Sequence, residues 1–154
     1  CRYFQNYFTV NQAQLKRSSR MVAIALVDLD FFKRVNDSFG HAVGDQVLCH
    51  VGALLSAYLR ASDRIFRWGG EEFVILMPDT KASDAFTIME RLRHEVEITP
   101  FITEDGHLVN MTISIGLHSG ALSDNVDTLI AAADTQLYLA KRSGRNQVKG
   151  ERDL

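Results

Sequence analysis

The sequence predicts an α+β domain on a ferredoxin-like βαββαβ core, a mixed but mostly antiparallel sheet with flanking helices. Three observations carry that expectation. Met21 to Val27 is a short, apolar, partly β-branched run of the kind that forms a buried strand. Ile65-Phe66-Arg67-Trp68 and Phe73-Val74-Ile75-Leu76-Met77 are two more strand-like runs, joined through Gly69-Gly70 as a hairpin. Val47, Leu48, Val51, Leu54, Leu55 and Tyr58 before the hairpin, and Ala85, Phe86, Met89, Leu92 and Val96 after it, mark two amphipathic helices.

Taken in order, residues from about Tyr3 to Arg17 carry weak helical spacing (Phe4, Tyr7, Phe8, Leu15) and a basic end. The first strand runs from Met21 to Asp28, and Phe31-Phe32-Lys33-Arg34-Val35-Asn36 follows with helical character. The clearest helix covers Val43 to Leu59. Gly69 and Gly70 then supply the positive φ of a tight turn, and Pro78-Asp79 ends the second hairpin strand. Beyond the second amphipathic helix come an extended stretch near Phe101, an Asp105-Gly106 turn and a strand from Leu108 to Leu117. Val126, Leu129, Ile130, Ala133 and Leu137 define a third helix, and a short strand around Val148 closes the chain. Helices are expected mainly on one face of the sheet. No stretch reads as a linker or a repeat, so residues 1–154 are expected to form one domain.

Composition narrows the function classes. With 154 residues, 46% hydrophobic and 23% charged, the chain is long enough for a real core and typical of a globular protein. Its formal net charge of −2 gives no overall attraction to nucleic acid polymers or anionic membranes. Met21 to Val27 is the longest apolar run, far too short to cross a bilayer, and no signal-peptide pattern opens the chain. Cys1 and Cys49 lack CxxC spacing and the five histidines show no HExxH arrangement. The expectations are therefore a cytoplasmic, reducing compartment and no zinc site. Opening on Cys1 rather than Met, the sequence reads as a piece of a longer protein.

Chemistry gathers at two places. Trp68-Gly69-Gly70-Glu71-Glu72-Phe73 puts paired glycines and paired carboxylates at a hairpin tip. The glycines admit a large ligand close to the backbone, and the acids suit a hard cation such as Mg²⁺. Read alone, the same tip is also an ordinary solvated turn. Asp28 and Asp30 flank Leu29 at a strand end, so both carboxylates point to one side and Leu29 to the other. One of them can share a cation with Glu71; either also suits the cap of the following helix, Asp30 especially. That helix start, with Lys33, offers N–H groups and charge to phosphate. The sequence has no GxxxxGK[ST], GxGxxG or kinase HRD or DFG motif. Nucleotide chemistry here would rest on a carboxylate-and-metal site, the palm logic of polymerases and nucleotidyl cyclases.

Five motifs occur in order: Asp28-Leu29-Asp30-Phe31-Phe32-Lys33, Asn36-Asp37-Ser38-Phe39-Gly40-His41, Gly44-Asp45, Trp68-Gly69-Gly70-Glu71-Glu72-Phe73 and Ala140-Lys141-Arg142-Ser143-Gly144-Arg145-Asn146. Together they resemble the GGDEF-domain family, the diguanylate cyclases, in its GGEEF form, over about Tyr3 to Val148. The resemblance implies GTP as substrate, cyclic di-GMP as product and two Mg²⁺ per active site, with Mn²⁺ as the alternative metal. It places Asp28, the Leu29 carbonyl and Glu71 around the metals, Glu72 near the reacting 3′-hydroxyl, and Gly69 and Gly70 against the nucleotide. Asn36 and Asp45 would read guanine, whose N–H donors suit an amide and a carboxylate. By themselves those two residues suggest a loop amide and a helix N-cap. The backbone at Phe31 and Phe32, with Lys33, resembles the phosphate cradle, and Lys141 and Arg145 the basic pair on the distal phosphates. Without the family, that pair reads as a basic helix end.

Arg60-Ala61-Ser62-Asp63, with five residues between it and Gly69, resembles the family's inhibitory RxxD site for intercalated product dimers. Arg91 on the next helix matches a further arginine of that site. Arg60 suits guanine's O6/N7 edge or a phosphate, and Asp63 accepts from the Watson–Crick edge. The alternative for Arg60 and Asp63 is a helix-end ion pair. The family usually opens with an Asp-x-Leu-Thr turn and an Asn-Arg pair; this sequence begins just after it. There an N-terminal sensor domain, and any membrane anchor of the parent protein, would connect. The implied enzyme is a symmetric homodimer with opposed active sites, used in bacterial signalling. Two rivals stay open: a silent receptor for cyclic di-GMP, and a GTP-binding regulatory domain.

Overall fold

A strand that is apolar at seven consecutive positions must be covered on both faces, and β1 (Met21–Leu29), apolar from Met21 to Val27, accordingly sits at the centre of the sheet, buried from Val22 onward. The structure, a computed structural model, describes residues 21–121 and 125–151. The helix expected from Tyr3 to Arg17 lies outside them. After β1 come α1 (Phe32–Phe39), α2 (His41–Ala57), β2 (Arg64–Arg67), β3 (Glu72–Pro78) and α3 (Ala82–Ile98). The chain continues through β4 (Phe101–Ile102), β5 (Leu108–Val109), β6 (Ile113–Ala121), α4 (Val126–Arg142) and β7 (Val148–Gly150). Five strands form one sheet in the order β2-β3-β1-β6-β7, antiparallel except for the β6–β7 pair. Its first four strands are the expected βαββαβ core. None of the described helices is long and apolar enough to cross a membrane.

Strand alternation divides the core in two. Ala23, Ala25, Val27 and Leu29 pack with Phe32, Val47, Val51, Leu55, Met89 and Leu92, residues of α1, α2 and α3. Val22, Ile24 and Leu26 pack with Leu129, Ala133 and Leu137 of α4. Three of the described helices thus share one face and α4 covers the other. Asp28 is in phase with Ile24 and Leu26, so it faces α4.

The contact of α4 with the sheet leaves no room for a side chain at Gly116. A Cβ there would lie 2.2 Å from the Ala133 carbonyl oxygen and 2.2 Å from the Leu137 nitrogen, both backbone atoms that cannot step aside. Gly116→Ala should destabilise the fold by about 3 kcal/mol, read as a lower denaturant midpoint at unchanged slope.

Four sequence expectations need correction. The strand expected over Leu108–Leu117 is two strands: β5 pairs with β4 in a separate ribbon closed at Gly106 (φ 83°), and β6 begins at Ile113. The Asp30 N–H donates to the Thr112 carbonyl at 2.9 Å in register with the β1–β6 ladder, so the chain joins the main sheet there, after residues 108 and 109 have paired with β4. The long helix starts at His41, because Gly40 (φ 88°) lets the chain turn directly out of α1; Asp45 is therefore inside α2 and is no N-cap. Asp30 caps nothing either: the residue before α1 is Phe31, in left-handed conformation (φ 57°) without a side-chain cap. Lastly, neither Gly69 nor Gly70 takes a φ in the left-handed region. The tip is closed by the Trp68 N–H donating to the Glu72 carbonyl at 2.8 Å, and by Arg67 donating to the Gly70 carbonyl at 2.8 Å.

Candidate functional site

The end of β1, the β2–β3 tip and the last turn of α4 meet at Asp28. Strand register sets Asp28 opposite Glu72 on β3 and opposite Ser114 on β6. The Leu29 N–H donates to the Glu71 carbonyl at 3.2 Å, which ties the tip to β1. From the other face α4 delivers Lys141, whose Nζ pairs with Asp28 Oδ2. Asp28 is only 4% exposed, and its second oxygen, Oδ1, is buried without a hydrogen-bond partner. A buried carboxylate oxygen with no donor is costly unless a cation meets it.

The neighbouring acids feel the same crowding. Burial raises the pKa of Glu71 above its ordinary value, and the neighbouring Asp28 carboxylate pushes it further; Lys141 opposes the shift. Glu72 is raised by burial and then by Asp28, again against Lys141. For Lys141, burial acts downward, but Asp28, Glu72 and Glu71 together outweigh it and raise the pKa. One ammonium thus faces three carboxylates. Among the described residues no three His, Cys, Asp or Glu side chains form a closed metal cage. The donor set still fits Mg²⁺, which takes one or two carboxylates and completes its shell with water and substrate phosphates. Asp28, Glu71 and the Leu29 carbonyl are the groups able to hold it.

Raised carboxyl pKa values fix the sign of a stability effect. A group that binds its proton more tightly when folded supports the fold below its unfolded pKa, and loses that support as pH rises through its folded value. Charged Glu71 therefore weakens the ligand-free fold at neutral pH. Glu71→Gln should raise the thermal midpoint of the metal-free protein at pH 7, and the gain should vanish as pH falls into the ordinary carboxylate range.

At the start of α1, where the sequence leads us to expect a phosphate cradle, Phe31 is exposed and lies under two guanidiniums, Arg34 at 4.3 Å and Arg145 at 4.8 Å from its ring centroid. Arg145 adopts φ 63°, and its N–H donates to the Ala140 carbonyl at 3.0 Å, which holds it against the end of α4. Phe32 is buried in the larger core and Lys33 is exposed. The guanine candidates sit on adjacent helices. Asn36 lies over Gly44, where a Cβ would come 1.9 Å from its Oδ1. Asp45 is exposed and lines a mostly apolar cavity of about 550 Å³ with Cys49, His50, Phe101 and Ile102. Of the expected site residues, only Asp45 borders that cavity.

The RxxD segment is a knot at the end of α2. Asp63 is buried and accepts the Arg60 backbone N–H at 2.9 Å and the Arg60 guanidinium at 3.1 and 3.3 Å. The same guanidinium reaches the Pro78 carbonyl at 3.2 Å and the Thr80 hydroxyl. Arg91 stacks on Tyr58, 4.7 Å from the ring centroid, and is bonded to neither Arg60 nor Asp63.

Sequence reasoning missed the fit of Gly44 under Asn36, the Arg67 clamp on the tip, and the bonding of Asp30. Only the last left a readable trace: Thr112 and Ser114 are two apart at a strand start, so their hydroxyls share a face.

Residues 1–147 match the family described as "Diguanylate cyclase, GGDEF domain". The response regulator PleD of Caulobacter vibrioides is 46% identical over 132 residues, which cover 84% of this chain and 29% of PleD. The chain thus spans under a third of that relative. Among solved structures, the GGDEF domain of DgcB from Caulobacter crescentus, in complex with c-di-GMP, aligns with TM-score 0.89 at 29% identity. That alignment covers 96% of this chain and 87% of DgcB's domain. The active GGEEF domain of a diguanylate cyclase from Vibrio cholerae aligns with TM-score 0.87 at 31% identity, covering 99% and 97%.

Proposed function

The chain belongs to the GGDEF-domain family of diguanylate cyclases, and from that premise we propose that it condenses two GTP into cyclic di-GMP, releasing two pyrophosphates. The observation that carries the proposal is the half-satisfied Asp28: a buried carboxylate with one oxygen on Lys141 and the other without a partner, beside Glu71. That arrangement costs stability and is explained by a ligand that brings a cation. The glycines of the tip point the same way. A Cβ at Gly70 would meet nothing within 4 Å and one at Gly69 only Glu72 Oε2 at 3.6 Å, so the free fold does not require glycine at either position. A nucleotide lying against the backbone does.

Bound at Asp28, Glu71 and the Leu29 carbonyl, Mg²⁺ would activate the 3′-oxygen and offset charge at the α-phosphate. The chain's own groups supply the rest. Lys141 leaves Asp28 for the distal phosphates, where Arg145 joins it. The N–H groups at the Phe31–Phe32 entry to α1, with Lys33, receive phosphate oxygens. Glu72 borders the 3′-hydroxyl. Asp45 accepts from the guanine N–H donors and Asn36 both donates and accepts, holding GTP so that its 3′-oxygen lies in line with the phosphate of the partner's nucleotide. Each domain holds one GTP, so two must meet symmetrically.

Gly44→Ala tests the guanine assignment separately from the fold. The severe clash is with the tip of a flexible side chain, and the second contact, Phe32 Cζ at 3.3 Å, needs only a small shift of the ring. The thermal midpoint should therefore change little while Asn36 is displaced. The KM for GTP should rise about tenfold, the worth of one good hydrogen bond. The whole reading is tested by chromatography of the products formed from GTP and Mg²⁺. GTP that is bound but never converted would favour the GTP-binding regulatory domain instead, and cyclic di-GMP binding without any GTP binding would favour the silent receptor.

A further inference from the structure

Asp30 is a buried carboxylate to which the mechanism above assigns no part. It is 5% exposed and forms no ion pair with a cationic side chain among the described residues. Its charge is met by three donors from two distant segments: the Thr112 hydroxyl at 2.7 Å, the Ser114 hydroxyl at 2.7 Å and the Asn146 backbone N–H at 3.0 Å. Its own N–H donates to the Thr112 carbonyl at 2.9 Å. The described residues include four non-glycine positions with positive φ, and three of them adjoin this carboxylate: Phe31 (57°), Arg145 (63°) and Asn146 (46°). Such conformations are strained and persist where surrounding bonds over-determine them. Asn146 is fixed further by Arg93 Nη1, which donates to its Oδ1 at 2.8 Å, and by its own amide on Glu97.

We propose that Asp30 is a positioning residue that joins the two halves of the phosphate grip. On one side it sets the β1–α1 turn that presents Phe31; on the other it holds the turn after α4 that carries Arg145. The stack of Arg145 on Phe31 is the contact between those halves. This inference rests on reading the cleft as a GTP site.

The chemistry of the three donors separates positioning from metal binding. The Asn146 N–H can only donate, whereas the Thr112 and Ser114 hydroxyls can donate or accept. Asp30→Asn, with its Oδ1 in the place of the present Oδ2, keeps the Asn146 and Thr112 bonds and donates to Ser114. It should therefore behave much like wild type. Asp30→Ala removes every acceptor and should raise the KM for GTP about tenfold or more, with a smaller fall in kcat. Thr112→Val, a milder change, removes one donor from the oxygen that holds Asn146 and should raise KM about threefold.

Amide hydrogen exchange at Asn146 reads the same claim without activity. Protection should persist in Asp30→Asn, weaken in Thr112→Val and be lost in Asp30→Ala. Asp30→Asn as damaging as Asp30→Ala would overturn the inference, because a charge and not an acceptor would then be required. Unchanged KM in Thr112→Val despite faster Asn146 exchange would overturn it as well. If wild type binds no GTP, the functional reading fails instead, while the exchange data still decide whether Asp30 holds the turn.

Discussion

Replacing Glu71 with alanine should abolish cyclic di-GMP synthesis. Cation assistance to phosphoryl transfer is worth several kcal/mol, so the rate should fall about 1,000-fold or more. The effect should be chemical and not a loss of fold. Glu71 is one of three acids crowded around a single ammonium, and burial together with Asp28 already raises its pKa. Its removal relieves repulsion, so the variant should unfold no earlier than wild type at neutral pH. Steady-state turnover of GTP, followed as pyrophosphate, and thermal unfolding measured on the same sample separate the two effects. A variant that folds normally and still makes product at the wild-type rate would remove Glu71 from the active site.

Arg60→Ala carries the second large effect, at the other end of the hairpin. The Arg60 guanidinium lies about half-exposed on buried Asp63, and it also holds the Pro78 carbonyl and Thr80 hydroxyl. It is thus pre-oriented, with its outer face free to meet a guanine edge or a phosphate. If cyclic di-GMP binds there, truncation should weaken its affinity about 100-fold, the scale seen when one partner of a charged contact is removed. Turnover should then continue at product concentrations that stop the wild type. Asp63 keeps the backbone N–H of residue 60, which limits the structural cost. Titration with cyclic di-GMP checks this directly, and equal affinity in the two proteins would eliminate the inhibitory-site assignment. Arg91, engaged with Tyr58, should contribute less.

The order of strands and helices was legible because β1, β2 and β3 are short apolar runs bounded by turn residues, while α2, α3 and α4 repeat their apolar residues with a period of 3.6. The faces were legible too, since alternation at Asp28-Leu29-Asp30 sends Leu29 into the larger core and both acids toward α4. What sequence could not supply were contacts between segments far apart in the chain. The pairing of Asp28 with Lys141 spans the whole domain, and the sequence suggested phosphates as the partner of Lys141. Asp30 looked like a local helix cap because residues 112, 114 and 146 carry no local sign that they converge on it. Gly69 and Gly70 were read as turn formers, yet their backbone is ordinary; Arg67 and the Glu72 carbonyl shape the tip. Gly44 and Gly116 look alike in sequence. One is forced by a side-chain tip and the other by helix backbone, which is why their predicted variants differ in kind.

The most direct test of the central claim is product analysis on wild-type chains brought together by a fused dimerisation module, incubated with GTP and Mg²⁺. Chromatography should show cyclic di-GMP and pyrophosphate accumulating in a 1:2 ratio, with ATP left unconverted in a parallel reaction. GTP that binds the dimer yet yields no cyclic di-GMP would contradict the account.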